Sequence, residues 1–458
     1  MQPPGFSRGR NAIKLGFTPI RGEGTQMDQM LLTRRHWLGG AVALGAGAAL
    51  PAFPLHAQPR VEWNNVARLV QSYVDSRKVS GMVATLGFGD GPLTAIRAGV
   101  DSFTAPRLSG LDSIYRIYSM TKPITGMATV ALIDEGRLGL DQPLHEILPA
   151  FRTMQVQKVY DGPITPDNLE PAVRPITIRQ LLTHTSGLGY GIVQSGPIAE
   201  AFRERGVVPG LVTRLQALPV FRGNAVKGLD VFADRVAELP LVYQPGTKWS
   251  YSIAFEILGR VIEVVSGEPF DRFLQERFFD PLGMGDTHFH VPRAKAERMT
   301  TSYFLYNGTL LPIDLGTDSI YFDPPPLPFG GSGLASTPED YDRFLAMLLN
   351  DGLFEGRRVM SESAVRLGTA TNLLPDTVEP ANAYEDGLWD YGAGGRVGKG
   401  ADAGVYGWAG AAGTIGFIHR GLGLRAGLYT QYMPSMAYPL IDEFPAAIRA
   451  DLAAAGRA

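Results

Sequence analysis

Ser119-Met120-Thr121-Lys122, followed at once by Pro123, sets a hydroxyl and an amine three residues apart where a helix begins. On a helix, positions i and i+3 share a face, so the Ser119 hydroxyl and the Lys122 amine come within hydrogen-bond reach after small rotamer changes. Pro123 limits where that helix starts. Without an N–H it belongs in the first turn, so the spacing predicts a helix beginning at or just before Ser119. Ser119 then stands at the positive end of the helix dipole, where an alkoxide and a developing oxyanion are both favoured. The competing reading is a plain N-cap serine, and chance alone supplies about one Ser-x-x-Lys in a chain this long. A capping box would want Glu or Gln where Lys122 stands. Lys122 is also the only lysine with a serine three residues before it. The pair alone decides nothing, so its partners must come from elsewhere in the chain.

Working outward, residues 114–118 alternate like a short strand that delivers the chain into Ser119, and residues 124–135 carry a helical pattern ended by Gly136. Upstream, residues 61–77 read as a helix with Val66, Leu69, Val70 and Tyr73 on one face. Residues 82–88 read as an apolar strand, Gly89-Asp90-Gly91 as a hairpin turn and residues 93–98 as its partner. Downstream, helical pieces lie at 178–183, 233–238, 253–266 and 270–279. The stretches 153–175 and 189–232 exceed ordinary connection lengths, which predicts pocket-lining insertions. The last third returns to short strands at 404–408, 413–419 and 424–429, with helices at 338–349 and 438–452. One sheet therefore joins the two ends of the chain around a helical region at about 120–300.

Composition narrows the function. The 458 residues are 45% hydrophobic and 19% charged with a net charge of -3, enough for a substantial core. No basic stripe neutralises phosphates, which argues against nucleic acid as a partner. The 55 glycines and 34 prolines are spread without a repeat, as expected of many turns. No cysteine is present, so a disulfide, a thiolate nucleophile and a lipid-modified cysteine are all excluded. His288-Phe289-His290 beside Asp286 tempts a metal reading, but no metal-ligand framework accompanies it, and a structural role is expected. Gly330-Gly331-Ser332-Gly333-Leu334 lacks the lysine of a phosphate loop, and Thr337, Pro338 and Asp340 after it explain themselves as a helix cap. Its glycines read as close backbone packing near the site.

Thr33-Arg34-Arg35-His36-Trp37-Leu38 precedes an Ala/Gly-rich run to Leu50, and Leu55-His56-Ala57 offers a small residue before a cleavage point. This is similar to a twin-arginine export signal. The run is too short to span a membrane and ends in Pro51 and Pro54. Residues 1–57 are therefore expected to be a removed extension and signal, with Met27 or Met30 as candidate starts. The mature chain, 58–458, is expected in the periplasm or outside the cell with no membrane anchor.

Three further motifs join the serine: Thr177 to Leu188, containing Leu182-Thr183-His184-Thr185-Ser186-Gly187; Pro245-Gly246-Thr247-Lys248-Trp249-Ser250-Tyr251-Ser252; and Pro281-Leu282-Gly283-Met284. With Ser119-Met120-Thr121-Lys122 they resemble the serine β-lactamase and penicillin-binding-protein superfamily, in its class C-like branch, over nearly all of residues 60–440. The resemblance implies an α/β (α+β) fold of the β-lactamase/transpeptidase type: an antiparallel sheet flanked by helices plus an all-helical region, with the site at their junction. It implies Ser119 as acylated nucleophile, Lys122 as the group that takes its proton and Tyr251 as a phenol relaying protons to and from the leaving group. By the family's arrangement the backbone N–H groups of Ser119 and Ala411 form the oxyanion hole. A lysine can act as base only where its surroundings keep it neutral. His184 reads as structural, since no histidine is required as base.

Two departures from the family's pattern direct substrate choice. Tyr-x-Asn reads Tyr251-Ser252-Ile253, which loses an amide-reading side chain, and Lys-Thr-Gly reads Trp408-Ala409-Gly410, which loses the cation that holds a substrate carboxylate. Ile253, Trp408, Ala409 and Gly410 are thus expected to line an apolar acyl pocket, and in this the chain most resembles the branch's esterase members, which are family VIII carboxylesterase-like. The expectation is an exported carboxylesterase acting on small or medium acyl esters, with no cofactor and no metal. The rivals are a β-lactamase or D-Ala-D-Ala carboxypeptidase, an acyltransferase sharing the first half-reaction, and a non-catalytic sensor on the same fold.

Overall fold

The computed structural model describes residues 61–215, 225–378 and 389–457. The expected signal at 1–57 lies outside them, as does part of the 189–232 stretch. Helix α1 (Asn64–Asp75) buries Val66, Val70 and Tyr73, the stripe its spacing requires. Strands β1 (Gly81–Phe88) and β2 (Thr94–Gly99) form the expected antiparallel hairpin with Leu86 opposite Thr94. The rest of the sheet comes from the far end of the chain: β3 (Asp390–Tyr391), β4 (Arg396–Val397), β5 (Val405–Ala409), β6 (Ile415–His419) and β7 (Leu424–Tyr429). The spatial order is β3-β4-β5-β6-β7-β1-β2, antiparallel throughout. The β1–β7 pair, with Val83 opposite Tyr429, is the seam that unites the two ends. Strands β3 and β4 escaped the sequence reading because two residues are too few to show alternation.

Between the two ends run α2 (Thr121–Asp134), α3 (Ile178–Leu182), α4 (Pro197–Glu204), α5 (Leu229–Ala237), α6 (Ala254–Ser266), α7 (Phe270–Leu274) and the one-turn α8 (Asp280–Leu282). They are followed by α9 (Pro338–Leu349), α10 (Glu362–Ala370) and, after the sheet, α11 (Leu440–Ala454). Period-two alternation splits the sheet between two cores. Met82, Ala84 and Leu86 of β1 join α1 and α11 on one side, while Val83 joins the larger core shared with α2, α6 and α9. Helix α2 is buried from Thr121 to Leu132, so it is apolar nearly all round, as a helix in the centre of a core must be. The result is an antiparallel sheet flanked by helices and joined to a helical region, the α/β arrangement expected.

Three differences matter. The helix after Ser119 begins at Thr121, and Ser119 occupies a 3-10 turn, Tyr118–Met120, leading into it. The strand expected at 114–118 shrinks to Tyr115–Arg116, paired with Ala335–Ser336, because Ile117 already leaves extended geometry at φ -89°, ψ -6° and Tyr118 follows at φ +40°. The 153–175 stretch has structure of its own. It folds into a small antiparallel pair, Gln155–Gln157 with Leu169–Pro171, whose Val156 is drawn into the main core beside Leu241. Among the described residues no helix is long and apolar enough to cross a membrane.

Candidate active site

The segment that carries Ser119 is anchored by charge. Arg116 is fully buried; its Nε donates to Asp314 Oδ2 at 2.7 Å, its Nη1 to the Thr300 carbonyl at 2.7 Å and its Nη2 to Ser319 Oγ at 3.0 Å. A guanidinium tied on three sides fixes the strand in place. Two residues later Tyr118 sits in the left-handed region, which a non-glycine occupies only under surrounding constraint. The chain turns there into the 3-10 turn holding Ser119. In such a turn side chains at i and i+3 eclipse, and Lys122 Nζ comes to 3.4 Å from Ser119 Oγ.

Lys122 is fully buried and donates to the Gly331 carbonyl at 2.8 Å. Its Nζ lies 4.5 Å from the centroid of the Tyr251 ring and 5.7 Å from that of Tyr190. The Tyr251 hydroxyl donates to Ser119 Oγ at 2.7 Å. The three residues expected to be catalytic therefore converge on one oxygen. His184 supports them from behind. Burial, and secondarily the Lys122 charge, hold its pKa well below the usual imidazole value, so the ring is neutral. Its Nδ1 accepts the Ser252 N–H at 3.2 Å, which puts the ring proton on Nε2. Its ring packs 4.7 Å from that of Tyr251, so it holds both the peptide after the phenol and the phenol itself.

Strand β5 supplies the facing wall. The Trp408 ring lies 6.0 Å from that of Tyr251 and 5.6 Å from that of Tyr391, and Trp249 stacks on Tyr251 at 6.1 Å. The Arg396 guanidinium lies 5.5 Å from the Trp408 ring and 5.0 Å from that of Trp389. At Gly410 an added Cβ would stand 2.4 Å from the Ile117 carbonyl oxygen, so only glycine lets the strand end approach the serine's segment this closely. Ala411 follows in a turn closed by the Gly413 N–H on the Gly410 carbonyl at 3.2 Å, and it packs with Tyr118, Val212 and Ala412. Val212, together with Tyr190 and the Pro209 carbonyl that accepts from Ser332 Oγ at 2.8 Å, brings the described part of the 189–232 stretch to the site.

The other two expected pocket residues point elsewhere. Successive residues of a strand face opposite ways, so Ala409 turns from the serine into the α1/α11 core and borders an apolar cavity of about 320 Å³ beneath α11. Ile253 is the N-cap of α6, and with 1% exposure its side chain belongs to the main core.

Sequence reasoning missed Glu256 and part of the role of Gly331. The glycines at 330–333 do pack closely, but the Gly331 carbonyl also takes the lysine proton donor, and its N–H donates to Glu256 Oε1 at 3.1 Å. Glu256 is fully buried, and burial lifts its carboxyl to about 7 although the Lys122 charge pulls the other way. The available signal was a single acid within the apolar run Ala254-Phe255-Glu256-Ile257-Leu258. His288 and His290 go separate ways: His288 Nε2 lies 2.9 Å from Lys295 Nζ, and His290 Nε2 lies 3.1 Å from the Phe322 carbonyl.

Comparison with known proteins extends the picture. A sequence model of the family described as Beta-lactamase matches residues 66–449. The chain is 30% identical over 372 residues to Esterase EstB of Burkholderia gladioli, an alignment covering 77% of this chain and 86% of the esterase. It is 39% identical over 256 residues to Protein Rv1367c of Mycobacterium tuberculosis, covering 56% of this chain and 59% of that protein, so the chain spans less than two thirds of that relative. Among solved structures, EstCE1, titled a hydrolase with promiscuous acyltransferase activity, superposes with a TM-score of 0.67 at 22% identity, covering 85% of this chain and 97% of the other. That last likeness is one of fold.

Proposed function

The chain belongs to the beta-lactamase family, and from that premise we propose that it is a serine hydrolase cleaving esters of small or medium acyl groups through an acyl-enzyme on Ser119. One observation carries the reading: Ser119 Oγ stands between the Tyr251 hydroxyl at 2.7 Å and the buried Lys122 amine at 3.4 Å. The amine donates to the Gly331 carbonyl and to Ser119 Oγ, and in its neutral form it turns its lone pair toward the serine. Ser119 Oγ attacks the ester carbonyl as its proton passes to Lys122, and the N–H groups of Ser119 and Ala411 receive the oxyanion. Tyr251 hands a proton to the departing alkoxide. Water then enters, loses a proton to the same pair and releases the acid, restoring the serine.

Ester preference is supported by the aromatic wall of Trp408, Trp249 and Tyr391, which offers a substrate carboxylate no ammonium where Trp408 stands. The same reading takes the Arg34-Arg35 lead as an export signal, which predicts an exported form whose amino terminus sequences near Gln58. The decisive assay is turnover of p-nitrophenyl acetate and butyrate beside a chromogenic cephalosporin, by wild type and Ser119→Ala. Ester turnover that vanishes in the variant is the expected result. Cephalosporin turnover above ester turnover would overturn the substrate assignment, and no acylation by either reagent or by a fluorophosphonate would leave a binding protein.

A further inference from the structure

Resting on that reading of Ser119 and Lys122, we propose that Glu256 is a positioning residue for Lys122. It fixes the amine through Gly331 and supplies the negative charge that the lysine meets once it has taken the serine proton. Gly331 joins the two groups from both of its sides. Its N–H donates to Glu256 Oε1 at 3.1 Å, and its carbonyl accepts from Lys122 Nζ at 2.8 Å. A Cβ on Gly331 would come 2.7 Å from Glu256 Oε1, so the carboxylate lies directly against the glycine. Moving the acid moves the carbonyl, and moving the carbonyl moves the amine.

A bland role accounts poorly for this acid. Glu256 lies in the first turn of α6, where an acid complements the helix dipole, but an exposed acid does that without desolvation. Glu256 is instead fully buried, and its second oxygen, Oε2, has no hydrogen-bond partner among the described residues. Most buried carboxylate oxygens have a hydrogen-bond partner, although Asp101 Oδ1 in this protein also lacks one among the described residues. A half-satisfied one beside a buried lysine is suited to answering that lysine's charge. The ionisable groups whose fields it shares are Lys122 on α2 and Tyr190 in the segment after α3. His184, beyond Lys122, is held neutral by burial. The buried faces of α3, α5 and α7, which pack on α6, carry no charge: Ile178, Gln180, Leu181 and Leu182 on α3, Leu229, Phe232, Ala233 and Val236 on α5, and Phe270, Phe273 and Leu274 on α7. Lys122 is thus the one cation Glu256 answers among these neighbours.

The test is the pH profile of p-nitrophenyl butyrate hydrolysis in wild type, Glu256→Gln and Glu256→Asp, with Ser119→Ala as the blank. The acidic limb of kcat/KM reports the ionisation that readies the free enzyme to take the serine proton. Glutamine keeps an acceptor for the Gly331 N–H but removes the charge, so an ammonium loses its proton more readily. The limb is expected to move to lower pH by about one unit or more, while the plateau of kcat falls about tenfold because the ammonium formed on acylation is uncompensated. KM is expected to stay within about twofold. A role in packing alone lowers stability without moving the midpoint. Glu256→Asp keeps the charge but withdraws it by one methylene, so the limb stays near its wild-type position while kcat falls. A limb unmoved within about 0.3 unit in Glu256→Gln overturns the proposal. Should that variant not fold, an unchanged kcat in Glu256→Asp overturns it equally. Ester turnover that survives Ser119→Ala removes the premise instead, a result distinct from either.

Discussion

Tyr251→Phe removes one oxygen and leaves the ring, which separates chemistry from packing. The ring is held by His184 at 4.7 Å, Tyr190 at 5.4 Å, Trp408 at 6.0 Å and Trp249 at 6.1 Å, all ring-to-ring contacts that phenylalanine keeps. The hydroxyl donates to Ser119 Oγ at 2.7 Å, and a neutral hydrogen bond of this kind contributes about 1 kcal/mol net to stability. Urea unfolding should therefore register a loss of about 1 kcal/mol or less. The rate should register far more. A positioned proton-transfer group is worth about 10² to 10⁴ in kcat, equivalent to roughly 2.7–5.4 kcal/mol of barrier at about 1.36 kcal/mol per decade. KM should change by less than about threefold, because the phenol acts on the leaving group and not on the resting ester. Steady-state turnover of p-nitrophenyl butyrate and the urea midpoint, measured on the same preparation, give both quantities. A variant that keeps kcat within about tenfold of wild type would refute the assigned role, and so would a rate loss matched by an equal loss of stability.

Two other substitutions probe how the site is held. Arg116→Met strands the Asp314 carboxylate in a buried setting with only Ser319 Oγ and the Ile320 N–H, and should lower unfolding free energy by about 3–5 kcal/mol in urea; adding Asp314→Leu should recover much of it, and no recovery would mean that the pair acts through something other than unpaired charge. Gly410→Ala drives a Cβ to 2.4 Å from the Ile117 carbonyl, so the end of β5 must withdraw from the serine. Ester turnover should fall more than about tenfold with only about 1–3 kcal/mol of destabilisation, and wild-type kcat would show that Ala411 has no fixed distance to keep.

How much could be read from the letters followed from how local the cause was. Helix α9 was read at its true bounds because Thr337, whose side chain accepts the Asp340 N–H, and Pro338 mark its start within four residues. Strand β7 was read at its true bounds for a similar reason, since a run of six residues, apolar or small except for Arg425, stands between turns. Ser119 and Lys122 were legible because their geometry is set by a three-residue spacing. Tyr251 was legible only through its motif, since nothing near it in sequence says that it meets Ser119, 132 positions away. Glu256 was invisible because its importance is its burial, and burial is a property of the fold that surrounds it.

The same distinction governs the substrate argument, which leaned on two replacements as though they acted together. A letter in a motif gives the identity of a side chain, whereas a pocket depends on its direction, and direction is set by the element that carries it. On β5, alternation turns Trp408 toward Tyr251 and Ala409 toward the core under α11. At the head of α6, the N-cap position sends Ile253 inward, so the lost amide-reading group has been replaced by core packing and not by an apolar pocket wall. The case for esters therefore no longer rests on a pair of apolar pocket residues. It rests on Trp408 and the rings around it, with the Arg396 guanidinium lying against the Trp389 and Trp408 rings at 5.0 and 5.5 Å. A substrate that brings its own anion finds rings at this wall, and one that brings an alkyl chain finds surface it can cover.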